Sequence, residues 1–266
     1  MTKKKAQKTF DKYELYSRAV QSAETDVVFL RQVYRELRGK DPRIMREDFC
    51  GTFSLSCEWV NLSPHHEAVG VDLDPEPLEY GRRHNLAKLT KSQRARVSLV
   101  EADVLKSELP RADLAMAMNF SYFVFKTRET MKAYFANVYK SVKSDGLFVL
   151  DLFGGSLCHD ENEEKTQHRG FTYYWDQASF DPVSNHAQFY IHFKVNGQKK
   201  QERVFSYDWR MWSIPELREI LAEVGFKKTH VYWEGTTSKG TGDGVFTRTE
   251  QGESCQSWIA YIAAEK

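Results

Sequence analysis

The stretch Met45-Arg46-Glu47-Asp48-Phe49-Cys50-Gly51-Thr52-Phe53 constrains this chain most, because of what flanks it. A helical segment precedes it. The apolar run Leu55 to Val60 reads as a second helix, and Ala68-Val69-Gly70-Val71-Asp72-Leu73-Asp74 as a buried strand ending in acid. A strand, a tight glycine turn, a helix and an acid at the tip of the next strand make a nucleoside-binding βαβ unit. The turn offers backbone N–H groups at close approach, and the acid accepts hydrogen bonds from ribose hydroxyls. The turn has only one of the glycines of G-x-G-x-x-G, so it lacks the seat for a pyrophosphate. It suits a nucleoside ligand without phosphate, and a nicotinamide oxidoreductase is the weakest reading.

S-adenosylmethionine is the common phosphate-free ligand of such a unit. Cys50-Gly51-Thr52 after the acidic Glu47 resembles motif I of the class I S-adenosylmethionine-dependent methyltransferases. Gly70 to Pro75 resembles their motif II, and Glu101-Ala102-Asp103-Val104 their motif III. Ala112 to Ser121 is similar to their fourth strand, and Ser144 to Asp151 to their fifth. The blocks keep the family's order over roughly residues 43–152. One departure stands out: Phe49 and Phe53 occupy the places of the flanking glycines.

The resemblance implies an α/β fold, a Rossmann-like seven-stranded methyltransferase sheet, mostly parallel with its last strand antiparallel. It implies S-adenosyl-L-methionine as cofactor, with Asp72 on the ribose diol and Leu73 beside it. Asp103 would take the adenine amino group, and Val104 would offer its backbone N–H. Glu47, Phe49, Cys50, Gly51 and Thr52 would lie along the cofactor. Asn119, Phe120 and Ser121, after the fourth strand, would line the methyl-transfer channel.

At 266 residues the chain can bury one large core, and a single elaborated domain over 1–266 is expected. Its hydrophobic share of 41% and charged share of 28% are those of an ordinary globule. With 38 basic and 37 acidic residues the net charge is +1, which argues against nucleic acid or an anionic membrane as partner. Lys3, Lys4, Lys5 and Lys8 read as a solvated terminus. No apolar run spans a bilayer and no signal core is present. Cys50, Cys57, Cys158 and Cys255 form no C-x-x-C pair, so reduced thiols in a cytoplasmic protein are expected. The histidines show no metal spacing, and no metal is expected.

Apolar residues from Phe10 to Leu37 follow helical spacing and give a helical cap over 10–38. The cofactor-binding core is 43–152. Residues 156–169 are polar and read as a loop. From Phe171 to Tyr207 aromatic, strand-like runs surround turn signals at Asp181-Pro182 and Asn196-Gly197, so 171–207 is read as a three-stranded antiparallel insert acting as a lid. In 213–264, Ser213-x-x-Glu216 opens a helix stopped by Gly225, and two antiparallel strands, Phe226 to Trp233 and Gln256 to Ala263, close the sheet. The Gly-, Thr- and Ser-rich stretch from Gly235 to Ser254 between them reads as a long loop.

Methyl transfer from a sulfonium is an in-line displacement that chiefly needs alignment and exclusion of water. A base is needed only if the nucleophile must first lose a proton, so the sequence assigns no catalytic residue. Cys50 suits the turn sterically better than it suits a thiolate role. Tyr16, with Tyr13 one turn away, could fold over the cofactor and meet the substrate, with core packing of that helix as the equal alternative. Tyr174, Trp175, Trp209, Arg210 and Trp233 are candidates for the acceptor pocket, with ordinary core packing as the competing explanation. The expected activity is methyl transfer to a small-molecule acceptor. Methylation of tRNA or protein, and a non-catalytic protein that binds S-adenosylmethionine or S-adenosylhomocysteine, are the alternatives. The acceptor atom and the oligomeric state are not readable from the sequence.

Overall fold

A computed structural model describes residues 10–238 and 241–266, so the lysines at 3–5 and 8 lie outside the described residues. In chain order the elements are α1 (Lys12–Ala19), α2 (Ala23–Arg38), β1 (Ile44–Asp48), α3 (Ser54–Leu62), β2 (Glu67–Asp72), α4 (Pro75–His84), α5 (Lys91–Arg94), β3 (Val97–Glu101), β4 (Ala112–Ala117), α6 (Arg128–Ser141) and β5 (Val142–Gly154). There follow β6 (Asn162–His168), β7 (Phe171–Asp181), β8 (His186–Val195), β9 (Gln201–Arg210), α7 (Ile214–Glu223), β10 (Lys228–Thr236), β11 (Gly242–Thr249) and β12 (Trp258–Glu265).

The expected Rossmann-like sheet is present, with strands ordered β11-β10-β12-β5-β4-β1-β2-β3. Strands β1 to β5 pair in parallel, and β12 runs antiparallel to both β5 and β10. The sheet has eight strands, not the expected seven. The additional edge strand β11 forms from residues read as loop, pairing Trp233 with Thr247 and Glu234 with Phe246. A single apolar anchor holds it: the Phe246 ring packs 5.4 Å from Phe29 and 4.6 Å from Tyr261. One such residue among Gly, Thr and Ser leaves too faint an alternation to read as a strand.

The aromatic insert is a second, antiparallel sheet, β6-β7-β8-β9, of four strands instead of three. Strand β6 was expected to be loop because Asn162 to His168 contains no apolar residue. It is an exposed edge held through backbone pairing from Asn162↔Gln177 to His168↔Phe171. Its charged side chains blunt the edge against further pairing.

The N-terminal helical segment is broken at 20–22. Asp11 caps α1 by accepting from the N–H groups of Tyr13 and Glu14, and Gly39 ends α2 in the left-handed conformation. Helix α2 buries Val27, Leu30, Val33 and Tyr34 against one face of the large sheet. Helix α1 instead places Leu15 with Phe171, Ile191 and Phe193 of the second sheet. On the other face of the large sheet, one continuous core joins Phe148 and Leu150 to Phe189, Trp209 and Trp212. The second sheet is thus packed into the main core. Among the described residues no helix is long and apolar enough to cross a membrane.

Candidate active site

The carboxyl ends of β1, β2 and β4 meet at one side of the large sheet, where open α/β sheets bind ligands. A cleft of about 420 Å³ opens there. Its floor is the turn after β1, with Phe49 to Thr52, together with Asp72, Asp74, Met118, Asn119 and Ser121. Its roof is Tyr13, Tyr16 and Gln21 from the N-terminal segment, with Phe205, Tyr207 and Trp209 from β9.

The floor is held by hydrogen bonds that the sequence disposes closely. Asp72 accepts from the N–H groups of Gly51 (2.6 Å) and Asp74 (2.9 Å), tying the turn to the β2 tip. Burial raises its pKa against these bonds. Glu47 accepts from the N–H (3.0 Å) and hydroxyl (2.6 Å) of Ser56, and burial pushes its carboxyl up to about 8. Beside it, Asp48 makes a fully buried ion pair with Arg46 (2.7 Å) and accepts from Tyr134 (2.9 Å). Arg46 also donates to the Pro110 carbonyl and the Ser141 hydroxyl, so its fork is satisfied away from the cleft.

The turn keeps a glycine-like path without the glycines. Phe49, Gly51 and Phe53 have φ of 59°, 51° and 47°, all left-handed. For Phe this costs roughly 1–2 kcal/mol each. Burial overcomes it: Phe53 is fully buried, and the Phe49 ring packs at an angle against Phe125 and Tyr134, 5.8 and 5.5 Å between centroids. A second strained pair follows β4, where Asn119 and Phe120 both have φ of 57°. Both N–H groups donate to the buried Asp151 carboxylate, at 2.8 and 3.0 Å. Burial lifts Asp151 to about 7. Strain of this kind persists where surrounding structure over-determines it, and it clusters at functional sites.

The structure gathers Glu47, Phe49, Cys50, Gly51, Thr52, Asp72, Asn119 and Ser121 at the cleft, with Tyr16 and Trp209 above them. The other candidates are not among the lining residues of the cleft. Leu73 is exposed beside Asp72. Asp103 closes its own turn onto the Leu105 N–H at 2.9 Å, and Val104 is buried in the core. Phe120 packs its ring on Phe153 at 4.6 Å. Trp175 stacks on Phe189 within the core, at 5.0 Å. Tyr174 alternates to the other side of β7 and lies under Lys200. Arg210 pairs with Glu216 and sits over Trp212, and Trp233 packs at a tilt against Trp258.

Phe205 and Tyr207 were missed, although they share the period-2 face of Trp209. Asp151 carried a signal too, as an acid inside an apolar strand. The Cys50 thiol is driven well above its ordinary pKa by burial and by the nearby Glu47 and Asp72, so it is no ready thiolate.

Cross-strand pairing brings together one trio of possible metal ligands among the described residues: Glu163, Asp176 and His192. Hydrogen bonding accounts for it. The N–H of Arg203 donates to His192 Nδ1 (2.7 Å), so Nε2 carries the hydrogen and donates to Asp176 (3.0 Å). Glu163 is paired with Lys200.

Residues 48–150 match the family described as "Methyltransferase domain". This chain carries a methyltransferase domain. The match runs from the last residue of β1 through most of β5 and so contains the turn after β1 together with Asp72, Asn119 and Ser121. No curated protein sequence matches the chain. Among solved structures, an S-adenosylmethionine-dependent methyltransferase from Clostridium acetobutylicum ATCC 824 is similar, with TM-score 0.66 and 15% identity over 95% of this chain and 96% of that one. The amino pentose methyltransferase CalS10 from Micromonospora echinaspora aligns with TM-score 0.67 and 15% identity, covering 99% and 100%. The sugar N-methyltransferase KedS8 from Streptoalloteichus sp. ATCC 53650 aligns with TM-score 0.65 and 15% identity, covering 100% and 97%. The likeness in fold to these structures therefore extends over nearly the whole chain, well beyond residues 48–150.

Proposed function

We propose that this protein transfers a methyl group from S-adenosyl-L-methionine to a small acceptor that carries no anionic group. The observation that carries the reading is the charge of the cleft. Glu47, Asp48, Asp72 and Asp74 line it, Asp48 being paired with the buried Arg46, and no Lys, Arg or His is among the described lining residues. Such a site attracts an ammonium or sulfonium and repels phosphate or carboxylate. Its volume lies within the roughly 300–1,000 Å³ of small-molecule sites. The similar structures include an amino pentose and a sugar N-methyltransferase, which agrees with a small acceptor.

The donor set fits the cofactor. Each Asp72 oxygen accepts one backbone N–H and keeps a lone pair for a ribose hydroxyl. Glu47, with no ion-pair partner among the described residues and its carboxyl raised to about 8 by burial, would give up its proton to pair with an ammonium group. Bound there, the cofactor supplies an activated methyl on a positively charged sulfur. The chain's own residues hold the ribose and ammonium ends, and the aromatic roof excludes water.

Calorimetry with S-adenosylmethionine tests this. Asp72→Ala is expected to weaken binding about tenfold to over a hundredfold, from losing hydrogen bonds to a charged acceptor. Unchanged affinity in a folded variant would remove Asp72 from the site, and no binding by the wild type would refute the function.

A further inference from the structure

The roof of the cleft is almost wholly aromatic: of its residues only Gln21 carries no ring. The rings arrive from two elements, Tyr13 and Tyr16 from α1 and Phe205, Tyr207 and Trp209 from β9. Phe205 lies 5.1 Å from Tyr16 and 6.0 Å from Tyr13, at interplanar angles of 57° and 59°, so the two elements meet in a corner of rings and not in a flat stack. Tyr207 and Trp209 continue the wall, 4.5 Å apart. An ammonium already sits against this corner, because Lys12 Nζ lies 4.8 Å from the centroid of Tyr13 and 5.8 Å from that of Phe205. Lys12 is not part of the lining and is ion-paired with Glu76 at 2.6 Å, so it leaves the cleft side of the rings to a ligand.

Beneath the rings is the acidic floor. Glu47 accepts from Ser56 through Oε2 alone, and Asp74 accepts from the Glu76 N–H through Oδ1 alone. Each keeps one carboxyl oxygen without a hydrogen bond or ion pair among the described residues. Carboxylates and ring faces attract cations by different means. A carboxylate favours a small ammonium that donates N–H hydrogen bonds. A ring face favours an alkylated ammonium, which is weakly hydrated and spreads its charge over its carbon groups. Together they describe a ligand whose cation carries alkyl groups.

We infer that the aromatic roof is a cation site for an alkylated ammonium group, and that the acceptor is an alkylated amine whose methylated product is held there; this rests on the proposed function above. In its free-base form the amine attacks through its nitrogen lone pair. The nitrogen–carbon bond forms as the carbon–sulfur pair stays on sulfur, and the positive charge passes from sulfur to nitrogen. A tertiary amine then has no proton to release, and a secondary amine releases one to solvent. Rings around the nitrogen favour this charge as it develops.

Choline is the probe, beside ethanolamine, its N-methyl and N,N-dimethyl derivatives, and a neutral analogue with tert-butyl in place of the trimethylammonium group. Calorimetry on the complex with S-adenosylhomocysteine is expected to show affinity rising with each methyl from ethanolamine to choline. Choline should bind about tenfold more tightly than the neutral analogue, or better. Phe205→Leu keeps an apolar side chain and removes the ring, and it should weaken choline about two- to thirtyfold. Tyr16→Leu should act in the same direction. In both variants the neutral analogue and S-adenosylhomocysteine should stay within about threefold of wild type. Affinity that falls with methylation would mean that the acids alone select the cation. Equal affinity for choline and the neutral analogue would mean that the roof is only apolar. Either result overturns the inference, and the wild-type series decides even where a variant fails to fold. So would unchanged choline affinity in both folded variants, or no choline binding to a complex that holds S-adenosylhomocysteine. Failure to bind either cofactor form would instead strike the proposed function.

Discussion

Glu47 makes the cleft sensitive to pH through a single residue. Burial raises its carboxyl from the ordinary 4.5 to about 8, despite two hydrogen bonds from Ser56. Between those values the folded ligand-free protein holds a proton that the unfolded chain has released. Stability therefore falls as pH rises through that window, by up to ~1.4 kcal/mol per pH unit for this group. Asp151, raised to about 7, and Asp26, raised to about 6, act in the same direction. Glu47→Gln, which keeps an acceptor for Ser56, should flatten the decline. Urea unfolding of wild type and variant at pH 5, 6, 7 and 8 measures it, and parallel curves would mean that Glu47 is ionised throughout. A cationic ligand should reverse the preference, so that binding near pH 7 releases a proton to buffer.

At the scale of the element, the turn after β1 and helix α4 are fitted to one another. Phe53 stands in the left-handed conformation and turns its ring under the turn, and Gly81 of α4 leaves the space for it. A Cβ on Gly81 would come 2.5 Å from the Thr52 carbonyl oxygen and closer still to the Phe53 ring. In an ordinary helix interior, Gly→Ala stabilises by roughly 0.5–1 kcal/mol. Here the sign should reverse: Gly81→Ala is expected to cost about 1–3 kcal/mol by overpacking and to weaken cofactor binding through the displaced turn. Thermal unfolding together with calorimetry decides it. A stabilised variant with intact affinity would show that turn and helix are independent.

Over the whole molecule, the question is whether the second sheet is a detachable flap. Its inner face supplies Phe189 and Trp209, and the segment after β9 supplies Trp212, to the core that also contains Phe148 and Leu150. Helix α1 is fastened to it as well, because Arg18 donates to the Arg169 carbonyl (2.7 Å) and covers the Phe171 ring. Trp209→Ala should therefore destabilise the entire protein by about 3–5 kcal/mol. Unfolding followed by tryptophan fluorescence and by far-ultraviolet circular dichroism should give coincident transitions. For the same reason, exchange of 171–212 for a Gly-Ser linker is expected to yield an unfolded chain. Two separated transitions would restore the flap.

The cofactor half was legible in the residues because its signals are local. A turn glycine, a strand-tip acid and helix caps act over a few positions, so Gly51, Asp72, Asn119 and Ser121 could be placed at the cleft from sequence. Period-2 alternation likewise announced β7, β8 and β9. Strands β6 and β11 were hidden because an edge strand needs only backbone partners, and Asn162 to His168 offers no apolar pattern to detect. The glycine-like turn could not be foreseen either: Phe49 and Phe53 disfavour positive φ, and only distant packing against Phe125, Tyr134 and Gly81 imposes it. The aromatic candidates were sorted by tertiary structure alone. Trp209 faces the cleft while Trp175, Arg210 and Trp233 do not, since which ring meets a cavity depends on what the second sheet packs against. The meeting of Tyr16 with Phe205, far apart in the chain, is of that kind. Sequence determined the chemistry available to the protein, and the docking of two sheets decided which side chains share one cleft.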